Sequence, residues 1–306
     1  MSDNYNKVSE IAAKHLGQVG GAGYSDQYDP SLLVRIPRSL NREAYGIQEN
    51  SLPFVGYDVW NAYEVSALTS KGLPVSGMLK IVCPANTQYH VESKSIKLYL
   101  NSFNMTELGP TILDAIHNFK DKVVTDLSKL LQCDVWVFFY GFDSTDNPVG
   151  LDMSLEEIGE LSDIDSRCNL ESIDFKEGFT GFDLHETDST STHYWKSNLL
   201  RSNCRVTNQP DWGDIYIVMK GTKIPTPESL AKYIVSHRQV SHFHEEICEM
   251  LFTTLQKECE LEDLMVTCLY TRRGGIDINP IRTTNLDWIP RPFRESNTLL
   301  KKTLRQ

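Results

Sequence analysis

The same order of apolar patterns occurs twice along this chain, and the repetition limits the folds open to it. In the first half, two runs typical of strands precede an amphipathic helical stripe and a short apolar run typical of a buried strand. These segments are 60–65, 78–83, the stripe of Ile112, Ile116, Phe119, Val123, Leu127 and Leu130, and 134–140. A helix with one apolar face has to cover a sheet or another helix. The second half of the stretch 91–100 alternates and predicts one more strand.

The second half of the chain repeats this order, which indicates an internal duplication. Strand-like runs at 193–200 and 214–220 precede a helix that Thr226 is suited to cap, with Pro227 at its first position. A second stripe and a closing strand at 264–270 follow. The stripe consists of Leu230, Ile234, His237, Val240, His244, Ile247, Leu251 and Leu255.

Composition excludes several classes of protein. The chain has 306 residues, of which 40% are hydrophobic and 23% charged, and no apolar run approaches the ~20 residues that a membrane helix needs. The first residues have neither a basic nor an apolar signal region, so we expect no secretory signal. The seven cysteines are odd in number and form no CxxC motif, which favours reduced thiols in a cytoplasm over disulfides or a zinc ribbon.

The net charge of −11 is concentrated in one segment. Residues 143–193 contain 14 acidic side chains against two basic ones, so the remainder of the chain is nearly neutral. No basic surface for direct nucleic-acid binding is indicated. The pattern predicts an N-terminal domain with a polar lead-in at 1–142, an acidic surface linker with some local structure at 143–193, and a C-terminal domain at 194–306.

The stretch Ser202-Asn-Cys-Arg-Val-Thr-Asn-Gln-Pro-Asp-Trp-Gly213 combines a thiol and a carboxyl group. Cys204 and Asp211 are seven residues apart, and Gln209-Pro210 predicts a bend between them. A thiol and a carboxyl group at the mouth of a strand pair can serve as nucleophile and proton donor. The alternative is a buried structural cysteine beside a turn-forming aspartate.

Three further stretches carry polar side chains that suit a binding site. His244 lies on the second helical stripe, where a core role is the alternative interpretation. His242 is two residues away and would point elsewhere on a helix, so the pair makes a poor metal site and we expect none. Arg272-Arg-Gly-Gly275 suits an anion after a strand, and Glu92-Ser-Lys94 combines an acceptor, a hydroxyl group and a cation.

Together these stretches resemble the NADPH-dependent 7-cyano-7-deazaguanine reductases, the nitrile reductases of queuosine biosynthesis. The similarity rests on four motifs in the order of that family, in its long duplicated form, and extends from about Tyr28 to Arg291. The motifs are Glu92-Ser-Lys-Ser-Ile-Lys-Leu-Tyr-Leu-Asn-Ser-Phe103, the Cys204 stretch, Phe243-His-Glu245 and Tyr270-Thr-Arg-Arg-Gly-Gly-Ile-Asp-Ile-Asn-Pro280. The similarity fades in the acidic segment and after Phe293.

The resemblance implies an α+β fold of two tandem tunnelling-fold domains, each an antiparallel sheet backed by helices, in a homodimer. It also implies roles for ten residues. Cys204 attacks the nitrile carbon to give a thioimide, Asp211 donates a proton, and His244 assists. Val91, Glu92, Ser93, His244 and Glu245 bind the substrate, and Ser93, Lys94, Arg273 and Gly274 bind NADPH.

Two other functions remain open at this point. Amidine-forming relatives add ammonia to the same nitrile on tRNA and need no hydride donor. A non-catalytic purine- or pterin-binding module would keep the fold without needing Cys204, Asp211 and His244. A cysteine hydrolase also uses Cys and His, but the spacing to Asp211 gives it no support. If Asp211 acts as an acid, we expect burial to raise its pKa above the ~3.9 of free aspartate.

Overall fold

The computed structural model describes residues 25–141, 153–205 and 208–301, and within these ranges it contains twelve strands and six α-helices. The strands are β1 (Arg35–Pro37), β2 (Val55–Leu68), β3 (Pro74–Pro84), β4 (Tyr89–Val91), β5 (Trp136–Gly141), β6 (Ser162–Asp163), β7 (Leu184–Ser197), β8 (Arg201–Cys204), β9 (Pro210–Pro225), β10 (Ser241–His242), β11 (Asp263–Tyr270) and β12 (Ile276–Thr283). The helices are α1 (Ser39–Arg42), α2 (Ser93–Asn101), α3 (Ile112–Leu131), α4 (Ile164–Arg167), α5 (Pro227–Ser236) and α6 (His244–Cys259).

One large sheet runs through both halves of the chain. Its order is β10-β8-β9-β11-β12-β2-β3-β5, with β7 also on β9 and β6 on β7, while β1 and β4 form a separate pair. All the pairings are antiparallel except β10 with β8 and β6 with β7. The predicted α+β class, an antiparallel sheet backed by helices, is confirmed.

The two halves meet where β12 pairs with β2 over eight residue pairs. Beside this seam lies a buried network of ion pairs. Arg282 on β12 lies 2.8 Å from Asp58 on β2 and 2.8 Å from Glu249 on α6, and Arg42 lies 2.9 Å from Glu249. Removing one member of such a network leaves an uncompensated buried charge, which costs about 3–5 kcal/mol. The network therefore fixes α6 of the second half against β2 of the first half.

The helices of each half cover the sheet as the apolar stripes predict. In the first half, α3 begins at the N-cap Thr111, whose side chain accepts a hydrogen bond from the backbone N–H of Asp114. Its stripe residues Ile116, Phe119 and Val123 are buried in a core shared with β2, β3 and β5. In the second half, α5 and α6 bury their stripes over β9 and β11.

The strand predicted at the end of 91–100 is wrong, because the chain forms helix α2 there. Glu92 is the N-cap, and its carboxylate accepts hydrogen bonds from the backbone N–H groups of Lys94 (3.0 Å) and Ser95 (2.7 Å). The residues buried on this helix are Ser95, Ile96, Tyr99 and Leu100, a helical spacing. Ile96, Leu98 and Leu100 are two residues apart, so they fit the alternation of a strand as well as the helix that forms.

The second helical stripe is interrupted, where the sequence predicted continuity. α5 ends at Ser236, a 3-10 turn follows at His237–Gln239, and the short strand β10 pairs with β8 before α6 begins at His244. The backbone of Asn203 donates to the carbonyl of Val240 (2.8 Å), which holds the interruption in extended form. The break places His244 and Glu245 at a helix N-terminus.

The acidic segment is more than a surface linker. Residues 143–152 lie outside the described residues, but the part from Met153 onward contains β6, α4 and the first residues of β7. Ile164 is fully buried in the core of the second half. The division into domains at 142 and 193 stays a prediction, and the second of these boundaries falls within β7. Within the described residues, no helix combines the length and apolar character needed to cross a membrane.

Candidate active site

A hairpin of β8 and β9 brings Cys204 and Asp211 together. Ser202 lies opposite Asp211 in this antiparallel pair, and the backbone N–H of Cys204 donates to the carbonyl of Gln209 (2.8 Å). The bend predicted at Gln209-Pro210 lies between the two strands, because β8 ends at Cys204 and β9 begins at Pro210 rather than after Gly213. Cys204 is half-buried and Asp211 is buried, and both line one cavity.

Asp211 is held between two basic side chains. Arg273 donates a hydrogen bond from its guanidinium to Oδ1, and Nε2 of His244 lies 3.3 Å from Oδ2. Burial raises the pKa of Asp211, but the hydrogen bonds and charges of His244 and Arg273 together outweigh burial and lower it. The expected rise in the pKa of Asp211 is wrong for the free protein, since its carboxyl group is ionised there.

His244 and Glu245 open helix α6 and face the same cavity. The imidazole ring of His244 stacks on Tyr270 with ring centroids 3.8 Å apart, which fixes its orientation. Oε1 of Glu245 and Nδ1 of His244 are buried and have no hydrogen-bond partner among the described residues. Burial, with the charge of Asp58, raises the pKa of Glu245 to about 8. A buried carboxyl oxygen without a donor suits a ligand that brings an N–H group.

The first half of the chain supplies the opposite wall. Val91 ends β4, Glu92 caps α2 and Ser93 begins it, so the end of the strand and the start of the helix both reach the cavity. The carboxylate of Glu92 already caps α2 through the bonds described above. A ligand donor would therefore share this carboxylate, because a carboxylate accepts about four hydrogen bonds.

These walls enclose a cavity of about 370 Å³, within the range of small-molecule sites. All ten residues selected from the sequence line it. They are Val91, Glu92, Ser93, Lys94, Cys204, Asp211, His244, Glu245, Arg273 and Gly274. Sequence reasoning missed other lining residues, among them Trp60, Lys97, Gln209 and Phe243. Lys97 lies within the motif from Glu92 to Phe103, but the strand predicted for the second half of 91–100 hid that Lys97 shares a helix face with Lys94.

Three cations converge on the cavity in a way that suits phosphate groups. Lys94 and Lys97 come from α2, and Arg273 comes from the turn between β11 and β12. Gly274 follows with a φ of 57°, a left-handed conformation that most side chains disfavour. Burial and the charge of Arg273 lower the pKa of Lys97, and an anion entering here would favour its protonated form. This donor set fits a phosphate-bearing cofactor.

The histidine pair does not form a metal site in the described part of the chain. His242 on β10 lies 2.8 Å from Glu246 and within hydrogen-bond distance of Tyr45, whereas His244 contacts Asp211. No group of three or more His, Cys, Asp or Glu side chains among the described residues could hold a metal ion.

Comparison with known protein families identifies the relatives of this chain. The model for the N-terminal part of the nitrile reductase 7-cyano-7-deazaguanine reductase matches residues 24–139, and the model for QueF-like proteins matches residues 210–287. The NADPH-dependent 7-cyano-7-deazaguanine reductase of Colwellia psychrerythraea is 39% identical over 94% of this chain and 97% of its own. This chain belongs to the 7-cyano-7-deazaguanine reductase family. The two models match different halves, in agreement with the predicted tandem tunnelling-fold domains.

A second reductase of this family agrees over slightly less of the chain. The enzyme of the same name from Rickettsia bellii is 38% identical over 87% of this chain and 91% of its own. The solved apo structure of the archaeosine synthase QueF-Like aligns with 32% of this chain and 95% of its own. Its identity of 15% and TM-score of 0.28 are too low to carry any argument.

Proposed function

We propose that this chain is an NADPH-dependent reductase that converts the nitrile of 7-cyano-7-deazaguanine to a primary amine in queuosine biosynthesis. The observation that carries the proposal is the composition of one cavity. A thiol lies beside a carboxyl group and an imidazole, one oxygen of a buried carboxyl group lacks a donor among the described residues, and three cations converge on the same space. Binding, covalent chemistry and a phosphate site are thus combined.

In the covalent step, the thiolate of Cys204 attacks the nitrile carbon. An S–C bond forms, one π bond of the nitrile breaks, and the nitrogen takes the proton of Asp211, leaving a thioimide and a carboxylate. His244 can return a proton to Asp211 through the 3.3 Å contact. NADPH, when bound, supplies hydride to the carbon. Covalent attachment divides one difficult reduction into easier steps.

Recognition of the base rests on acceptors supplied by both halves. The guanine-like edge of the substrate carries N–H donors, and the carboxylates of Glu92 and Glu245 accept them, with Val91, Ser93 and His244 completing the site. A site built to pair those donors rejects bases that lack them, because its buried carboxylates would stay unpaired. Ser93, Lys94, Arg273 and Gly274 bind the cofactor, with Lys97 as a further cation.

Substrate affinity should increase with pH and level off near pH 8. Burial raises the pKa of Glu245 to about 8, so the free protein holds it neutral below that pH, whereas the bound base favours the ionised form. Binding then releases a proton, and the affinity falls as the pH drops below about 8. Calorimetry in a Cys204→Ala background measures binding without chemistry. Glu245→Gln should bind more weakly with no such pH dependence, and an equal dependence in both proteins would contradict the assignment.

Glu92→Ala should weaken base binding by about one to two orders of magnitude. Loss of a charge-assisted hydrogen bond in a buried site costs roughly 1.5–3 kcal/mol. The variant also loses the N-cap of α2, which costs ~1 kcal/mol of stability. Thr111→Ala is the matched control, because it removes the cap of α3 away from the cavity. Equal affinity in both variants would show that Glu92 serves the helix alone.

Reduction of a nitrile to an amine needs four electrons, so each substrate should consume two NADPH. The pure protein is incubated with 7-cyano-7-deazaguanine, and the loss of NADPH absorbance is compared with the amine formed, measured by chromatography. One NADPH per product, or product without NADPH, would contradict reduction. Addition of ammonia to the same nitrile is the second candidate function, and product that appears with ammonia but without NADPH would favour the amidine-forming relatives.

A purely binding role is disfavoured because Cys204, Asp211 and His244 meet in one cavity. A purine- or pterin-binding module has no use for a nucleophile beside an acid–base pair.

We also propose that the chain acts as a homodimer on a small-molecule substrate in the cytoplasm, without binding nucleic acid directly. Sedimentation analysis tests the dimer.

A further inference from the structure

Arg273 lies across the hairpin that carries the reacting groups. Its guanidinium donates one hydrogen bond to Oδ1 of Asp211 and another to Oε1 of Gln209. Gln209 immediately precedes β9 and has no role in the reaction steps described above. In the free protein, Arg273 is thus engaged with the predicted proton donor rather than held open for an anion.

This contact conflicts with the role of Asp211. An aspartate paired with a guanidinium favours the ionised form, and an ionised carboxylate has no proton to give. The charges and hydrogen bonds of His244 and Arg273 lower the pKa of Asp211 despite its burial. Asp211 needs to lose a cationic partner before it can act as an acid.

Arg273 is the partner that can leave. Its side chain is 30% exposed, whereas that of Asp211 is 4% exposed. It also emerges from a turn beside Gly274 and lines the cavity together with Lys94 and Lys97. A phosphate group offers a guanidinium a bidentate partner of higher charge than one carboxylate. His244, in contrast, is fixed by its stacking on Tyr270.

We infer that Arg273 is a positioning residue that keeps Asp211 ionised in the free protein and is drawn away by the phosphate groups of the cofactor, so that Asp211 takes up from His244, through their 3.3 Å contact, the proton that the nitrile nitrogen requires. This inference rests on the proposed function. It makes the covalent step responsive to cofactor binding before any hydride moves. In that step the S–C bond of Cys204 forms, a nitrile π bond breaks, and the proton passes from Asp211 to nitrogen.

The test follows adduct formation on Cys204 by mass spectrometry without NADPH, over a series of pH values. Arg273→Met should form the adduct at least ~10-fold faster than the wild type at neutral pH, because a carboxyl group that loses an adjacent cation is protonated more often. The pH above which the rate falls should also rise. Arg273→Lys, which retains the charge, should resemble the wild type.

Two controls separate this effect from a general loss of positive charge. Arg272→Met removes the adjacent arginine, which lies over the ring of Tyr63 and does not line the cavity, and should leave the rate unchanged. In an Asp211→Asn background, Arg273→Met should have no further effect, because the two changes act through one carboxyl group.

The second arm uses only the wild type and NADP+, which carries the phosphate groups but cannot donate hydride. NADP+ should accelerate adduct formation, and it should not do so in Arg273→Met. An unchanged adduct rate in Arg273→Met, or no acceleration by NADP+, in a protein that reduces the nitrile would overturn the inference alone. A wild type that neither forms the adduct nor makes the amine overturns the proposed function and the inference together.

Discussion

Cys204→Ala should bind the deazaguanine base and yet form neither adduct nor amine. The substitution removes the sulfur that forms the S–C bond and leaves the acceptors Glu92 and Glu245 in place. The wild type, incubated with substrate and no NADPH, should gain the mass of the nitrile on the peptide that carries Cys204. The variant should gain nothing, and its turnover should fall to the background of the assay.

The other thiols provide the controls for this experiment. Cys83, Cys248 and Cys268 are buried, and burial raises the pKa of Cys83 and of Cys268 far above the usual range, so we expect no adduct on them. Cys133→Ala is the matched variant, because Cys133 is half-buried and does not line the cavity. It should retain full turnover. An adduct on any cysteine other than Cys204 would show that the nucleophile is misassigned.

Asp211→Asn should lower turnover by a factor of ~10²–10⁴, the usual contribution of a positioned general acid. Asparagine keeps the shape and can still contact Arg273 and His244, but it cannot deliver a proton to the nitrile nitrogen. Substrate affinity should change much less than turnover, and single-turnover mass spectrometry should show slow formation of the adduct. Undiminished turnover in this variant would move the acid role to His244, which lies 3.3 Å away.

The sequence predicted the contents of the cavity better than the local structure that forms it. All ten selected residues line the cavity, yet the second half of the stretch 91–100 predicts a strand where a helix forms. Two side chains three residues apart, such as Lys94 and Lys97, would point to opposite faces of a strand. In helix α2, side chains three residues apart are neighbours on the helix surface. Only the helix therefore indicates that Lys97 joins Lys94 at the cavity. Short amphipathic stretches fit both periods, and tertiary packing decided between them.

Strand β12 could not be predicted from local rules. It lies between β11 and β2 in the middle of the sheet, although it contains Pro280, and a proline normally argues against a central strand. Its polar residues Asp277, Asn279 and Arg282 are buried, which hides the usual apolar signal. Their partners, such as Asn61 and Asp58, lie more than 200 residues away in the chain. Only the fold brings such pairs together.

The ionisation of Asp211 was mispredicted for the same reason. Burial was foreseeable for a residue at the mouth of a strand pair, and burial does raise its pKa. The opposing influence comes first from His244 at the start of α6 and then from Arg273, which is 62 positions further along the chain. A local sequence pattern does not show which charged side chains the fold brings next to a carboxyl group. It therefore predicts the effect of burial on the pKa of Asp211 but not the larger opposing effects of His244 and Arg273.

The seam between β2 and β12 has a kinetic consequence for how the site assembles. Because β12 of the second half pairs with β2 of the first, the wall that carries Glu92 and the wall that carries Cys204 belong to one polypeptide. Their encounter is intramolecular. A flexible covalent connection between two groups gives an effective concentration in the millimolar range. Glu92 and Cys204 therefore face each other in every folded chain, at a ratio of one to one, however dilute the protein becomes.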